Sequence, residues 1–75
     1  MPRPAELIEF VAKAIVDHPD DIEVRESDGG RLLELDTHED DRGRVIGRQG
    51  RVAKAMRALL GVSRDGADCR LDIVD

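Results

Sequence analysis

The sequence predicts an α+β fold: a three-stranded mixed sheet with helices packed on one face, in the order helix, strand, strand, short helix, basic loop, helix, strand. Three observations carry that prediction. Apolar residues recur at three- and four-residue spacing in two stretches, one ahead of Pro19 and one after Gly50, which is the period of an amphipathic helix. Apolar and polar residues alternate around residues 22–25 and 69–73, the period of a strand with one face buried. A Ser27-Asp28-Gly29-Gly30 cluster joins the first alternating run to a leucine-rich run, as the turn of a β-hairpin would.

The first helix is expected over residues 4–17, with Leu7, Ile8, Val11, Ala14 and Ile15 on its buried stripe and Phe10 at the edge of that stripe. Pro4 suits a first helical turn, and Pro19 prevents the helix from running past His18. Ile22 and Val24 alternate with Glu23 and Arg25 as the first strand. Residues 31–37 carry Leu32, Leu33 and Leu35, and three leucines in four positions predict a central strand covered on both faces. Thr37-His38-Glu39-Asp40 resembles a capping box, with Thr37 as N-cap of a short helix that runs through Ile46 and ends at Gly47. The next helix is expected over residues 51–60, with Val52, Ala55, Met56, Leu59 and Leu60 in the core, Arg51, Lys54 and Arg57 on the opposite side, and Gly61 at its end. A polar loop over residues 63–68 leads to a last strand in which Cys69, Leu71 and Ile73 alternate with Arg70 and Asp72. Two helices between the second and third strands make that pair parallel, while the hairpin makes the first pair antiparallel.

Seventy-five residues make one domain near the size at which a single core is only just sufficient. One Phe, with no Trp or Tyr, leaves an aliphatic core and almost no aromatic surface on which bases could stack. The lone Cys69 excludes an internal disulfide and a multi-cysteine zinc site, and it fits a reducing compartment and a small buried role. No apolar stretch approaches membrane-spanning length and the first residues form no signal sequence, so the expected location is the cytoplasm.

Charge is distributed unevenly. The chain holds 17 Asp and Glu against 12 Lys and Arg, an acidic balance that by itself argues against a polyanionic partner. Yet Arg42, Arg44, Arg48, Arg51, Lys54, Arg57 and Arg64 fall in one stretch that contains no acid. Such a basic island in an acidic shell admits a polyanion along one face and repels it elsewhere. At its centre stands Gly47-Arg48-Gln49-Gly50, where two glycines permit positive φ and close backbone approach, just ahead of the N–H groups of the next helix. A phosphodiester backbone fits such a loop.

The run Arg44-Val45-Ile46-Gly47-Arg48-Gln49-Gly50-Arg51 resembles the V-I-G-x-x-G-basic core of KH domains. With a helix and a strand ahead of the minimal strand–helix–helix–strand unit, the order α-β-β-α-α-β resembles the type II KH fold. The whole chain, as a single KH domain over residues 1–75 with residues 1–30 as the N-terminal addition and 31–75 as the minimal unit, is similar to the small stand-alone bacterial KhpA (YlqC-like) RNA-binding proteins. The Gly43-Arg44-Val45-Ile46-Gly47 lead-in and the Leu71-Asp72-Ile73-Val74-Asp75 ending contribute to that likeness. Arg42 departs from the pattern, standing where an apolar residue is expected, although an Arg stem can pack while its head stays in water.

The resemblance implies that the loop, Gly47, Arg48, Gln49 and Gly50, clamps the sugar-phosphate backbone of single-stranded RNA. Val45, Ile46 and the start of the next helix would form one wall of an apolar groove for about four bases, and the central strand the other. Arg44, Arg48, Arg51 and Lys54 would contact phosphates. The implied role is an RNA chaperone or post-transcriptional regulator, acting as a homodimer or with a larger Jag/KhpB-type RNA-binding protein. The alternative is an adaptor that keeps the KH fold and works mainly through a partner protein.

Catalysis has little support. Asp17-His18-Pro19-Asp20-Asp21 and His38-Glu39-Asp40-Asp41 each place a histidine among carboxylates, but neighbours on a turn or helix point in different directions, so neither stretch alone reads as a metal site. Ser63 lacks a nucleophile elbow, and the glycine spacing fits neither a dinucleotide fingerprint nor a P-loop. No catalytic residue, cofactor or metal is expected.

Overall fold

One hairpin and one crossover set the architecture. In the computed structural model, which describes residues 3–74, the elements are α1 (Pro4–Ile15), β1 (Glu23–Ser27), β2 (Leu32–Asp36), α2 (Arg42–Ile46), α3 (Arg51–Val62) and β3 (Arg70–Ile73), with single 3-10 turns before β1, β2, α2 and α3. Met1 and Pro2, at the start of the expected N-terminal segment, and Asp75, at the end of the expected closing motif, lie outside the described residues. The sheet order is β1-β2-β3, with β1 antiparallel to β2 and β2 parallel to β3, as the connections require.

The register places Val24, Leu35 and Ile73 in one row and Leu33 and Leu71 two positions along, all on the same face. Against that face pack Ile8 and Ala12 of α1, Val45 of α2 and Met56 and Leu60 of α3, with Ile22 closing the edge. The opposite face carries Glu23, Arg25, Glu34, Asp36, Arg70, Asp72 and Leu32, all exposed or half-buried. The β2 strand is therefore central as expected, but only Leu33 and Leu35 are fully buried, and Leu32 lies on the solvent side. Its leucines mark position within the sheet rather than cover on both faces.

Both helical stripes are rotated from their expected phase. In α1 the buried small residue is Ala12, while Ala14 is exposed; in α3 it is Ala53, while Ala55 and Leu59 are exposed. Small side chains occur on several faces of these helices, and the close packing of helix on helix selects which one is covered. The helix α1 also stops two residues early, with Val16 extended. The α3 helix runs through Gly61 to Val62, and Ser63 stops it by turning extended while its hydroxyl donates to Leu60 O at 3.0 Å.

The expected capping box is replaced by a different cap. Thr37 is buried and its hydroxyl donates to His38 O at 3.0 Å, whereas His38 caps the turn over residues 39–41 by accepting Asp40 N–H on Nδ1 at 3.0 Å. Arg42 begins α2 half-buried. Cys69 is half-buried, with its thiol donating to Gly30 O at 3.3 Å. Burial, and then the carboxylates of Asp68, Glu26 and Asp65, push that thiol above its ordinary pKa.

Candidate nucleic-acid interface

The α2 helix lasts little more than one turn because Gly47 turns to a φ of 79° after its N–H closes on Gly43 O at 2.8 Å. A side chain is barred there twice over. Besides the positive φ, an ideal Cβ on Gly47 would lie 2.5 Å from Val52 Cγ2 and 2.7 Å from Val52 N. Gln49 follows with φ 59° and Gly50 with φ 74°, so three of the four loop residues take left-handed backbone. The second glycine is the N-cap of α3, and no side chain caps that terminus. The first amides of α3 therefore face the loop with their positive dipole end. Arg48 and Gln49 stand exposed at the tip, and Arg51 Nη2 donates to Gln49 Oε1 at 3.2 Å, fixing the guanidinium beside the loop.

The other predicted site residues divide. Lys54 is exposed on the same side of α3 as Arg51, one turn on. Arg44 is exposed but paired, with its Nη2 3.0 Å from Asp17 Oδ2. Val45 is fully buried, so it supports α2 from beneath and offers no surface to a base, and the apolar surface beside the loop comes from half-buried Ile46 and Val52. Arg57, expected on the open basic stripe, instead turns to the sheet, where its Nε and Nη2 donate to Leu71 O at 3.2 and 3.0 Å.

That contact borders a cleft at the edge of the sheet. The Arg70 and Val74 amides bond to Arg31 O and Leu35 O of the β2 side, so the Leu71 carbonyl points to the outer edge of the sheet, where Arg57 meets it. Between α3 and this edge lies an open cleft of about 400 Å³ lined by Arg57, Cys69, Arg70, Leu71 and Asp72. The strand that lines this cleft is the edge strand β3, whereas the helix-facing side chains of central β2, Leu33 and Leu35, are fully buried. Arg57 and the β3 edge escaped the sequence reading because a lone Arg on a helix looks alike whether it reaches solvent or a carbonyl.

Asp41 holds the loop-bearing helix in place. It is 1% exposed, and its carboxylate accepts from Asp17 N–H (3.2 Å), His18 N–H (2.9 Å) and His18 Nδ1 (2.9 Å). Burial would raise its pKa, but the hydrogen bonds from Asp17 and His18 together with the charge of His18 outweigh it and hold the carboxyl below its ordinary value. An ionised carboxylate only accepts, so His18 Nδ1 carries the hydrogen. The His18 pKa is raised, by that hydrogen bond first, with burial opposing it and the charges of Asp41, Asp40 and Asp21 adding to it. His38 stacks on His18 with centroids 4.0 Å apart and planes within 12°. The two histidine–carboxylate stretches, unremarkable separately, form one cluster that no local pattern revealed.

A glycine loop between two helices, inserted between parallel strands and preceded by an extra helix and strand, defines a type II KH domain. The chain belongs to the KhpA/KhpB KH-domain family, whose model matches residues 5–73. It is similar to proteins named RNA-binding protein KhpA from Halalkalibacterium halodurans, 49% identical over 92% of this chain and 96% of that protein, and from Leifsonia xyli, 48% identical over 95% and 96%. A third, from Streptomyces coelicolor, is 47% identical over 93% of this chain and 90% of its own length. No solved structure matches at a significant level.

Proposed function

We propose that the chain binds single-stranded RNA, holding the phosphodiester backbone on the loop of Gly47, Arg48, Gln49 and Gly50 and presenting bases to the cleft between α3 and the β3 edge. The observation that carries this reading is the loop itself: three left-handed residues open the backbone ahead of a helix N-terminus that no side chain caps, with Arg48 and Arg51 beside it. The family and the names of the relatives agree with it. Lys54 extends the phosphate contacts along α3, and Arg44 joins them when it exchanges Asp17 for a phosphate. Ile46 and Val52 supply the apolar surface beside the loop. The activity is binding without catalysis, in the service of RNA chaperoning or post-transcriptional regulation.

A protein partner belongs to the same proposal, on a separate observation. Phe10 on α1 is 74% and Val62 on α3 83% exposed, with Leu59 at 42%, apolar surface that a partner could bury. A second copy, or a larger Jag/KhpB-type RNA-binding protein, would cover it. If that contact were the main activity, the loop would be dispensable. The double substitution Arg48→Asp and Gln49→Asp tests this: both side chains are exposed, so circular dichroism and melting stay as in the unaltered protein while RNA binding is lost. Retained RNA binding in a folded double variant would remove the loop from the site.

A further inference from the structure

His18 follows α1 and His38 precedes α2, and neither belongs to the loop or the cleft assigned to RNA. Each ring has its hydrogen placed by its neighbours. Asp41 accepts from His18 Nδ1 at 2.9 Å, which leaves the His18 lone pair on Nε2. The Asp40 amide donates to His38 Nδ1 at 3.0 Å, which leaves the His38 lone pair on Nδ1. The Asp40 carboxylate lies 3.6 Å from that same nitrogen. One donor atom from each of His18, His38 and Asp40 falls within 4.8 Å of the other two. A neutral imidazole whose far nitrogen is bound to a buried carboxylate is how proteins orient histidine for a metal, because the carboxylate fixes both the tautomer and the ring plane.

We propose that His18, His38 and Asp40 form a binding site for a divalent transition-metal ion of the zinc class, with Asp41 orienting His18 from the second layer. Two imidazoles and one carboxylate match the borderline softness of zinc, and water completes four-coordination. Calcium and magnesium, which take oxygen ligands, are disfavoured. Donors about 2.0–2.1 Å from a tetrahedral ion stand roughly 3.3 Å apart, so binding draws the three groups together and opens the ring stack. The side chains are free enough to move: His18 is 42%, His38 33% and Asp40 68% exposed, and none is part of the apolar core. Because the stack and the Asp40 amide bond to His38 are given up, the expected affinity is micromolar, weaker than a closed structural zinc site. The bound ion ties the segment after α1 to the turn before α2, beside the Asp41 bonds that already join them.

The experiment is calorimetric titration of the chelator-treated chain with zinc chloride, paired with visible absorption on titration with cobalt(II). Expected are one equivalent bound at micromolar concentration, the intense d–d bands of a tetrahedral site with nitrogen and oxygen donors, and a raised melting temperature in zinc. His38→Gln should abolish binding, and Asp40→Asn should weaken it about tenfold. Asp40 is exposed and half-buried His38 lies outside the apolar core, where Gln keeps an acceptor for the Asp40 amide, so the variants should keep the circular dichroism of the unaltered protein. No binding at millimolar zinc would overturn the site. So would binding that survives unchanged in both folded variants, since the ion would then sit elsewhere, for instance at Cys69.

Discussion

Gly47 and Gly50 have the same letter and different duties. Both take positive φ, but a Cβ at Gly50 would meet nothing within 4 Å, whereas one at Gly47 would collide with Val52. Gly50→Ala should therefore cost only the left-handed backbone penalty, about 1–2 kcal/mol. Gly47→Ala adds overpacking of a further ~1–3 kcal/mol and displaces the start of α3. Urea denaturation of the two variants checks the order, and equal losses would mean that the contact with Val52 is relieved by a small shift. Gln49 is the third left-handed residue and has no sequence signature, because glutamine at φ 59° is held by its neighbours rather than by its own preference.

At the scale of the element, Arg57 links α3 to β3 across the cleft. Its two hydrogen bonds go to one carbonyl on the outer edge of an edge strand, where a charged donor both satisfies the oxygen and blocks pairing with another strand. Arg57→Met keeps the aliphatic stem and removes the donors. Because water replaces part of the loss, the expected destabilisation is about 1 kcal/mol, read as a lower midpoint in urea with unchanged slope. In the proposed binding mode the same variant weakens RNA binding, because the cleft loses its positive wall. A variant with full stability would show that the contact is made equally well by solvent.

The whole molecule is a polarised object: net charge is −5, yet the loop and α3 present Arg48, Arg51 and Lys54 with no acid in the segment. Three phosphate contacts to a single strand predict a log–log salt slope of about −2. Asp17→Asn, which releases Arg44 from its ion pair, should steepen the slope by roughly 0.7 and tighten binding at low salt. Affinity for a short RNA should be micromolar or weaker, since almost no aromatic surface is present for stacking. Joining two sites, through a second copy or a partner, should raise apparent affinity on a two-site RNA by roughly a hundredfold. Filter binding across salt with one-site and two-site RNAs checks both numbers, alongside sedimentation. Nanomolar binding of the short RNA by a monomer would point to a recognition surface other than this one.

Local chemistry alone determined the element order, the parallel β2–β3 pairing and the position of the loop. Proline and glycine punctuate the chain within a few residues, periodicity distinguishes helix from strand, and clustered like charges are visible without coordinates. The phase of each helix was not legible, since Ala12 and Ala14, or Ala53 and Ala55, are equivalent small residues until a neighbouring helix covers one of them. The same holds for long polar side chains. Whether Arg57 meets solvent or Leu71, whether Arg44 meets phosphate or Asp17, and whether His18 and His38 ever touch depend on contacts between segments distant in sequence, which only tertiary packing decides.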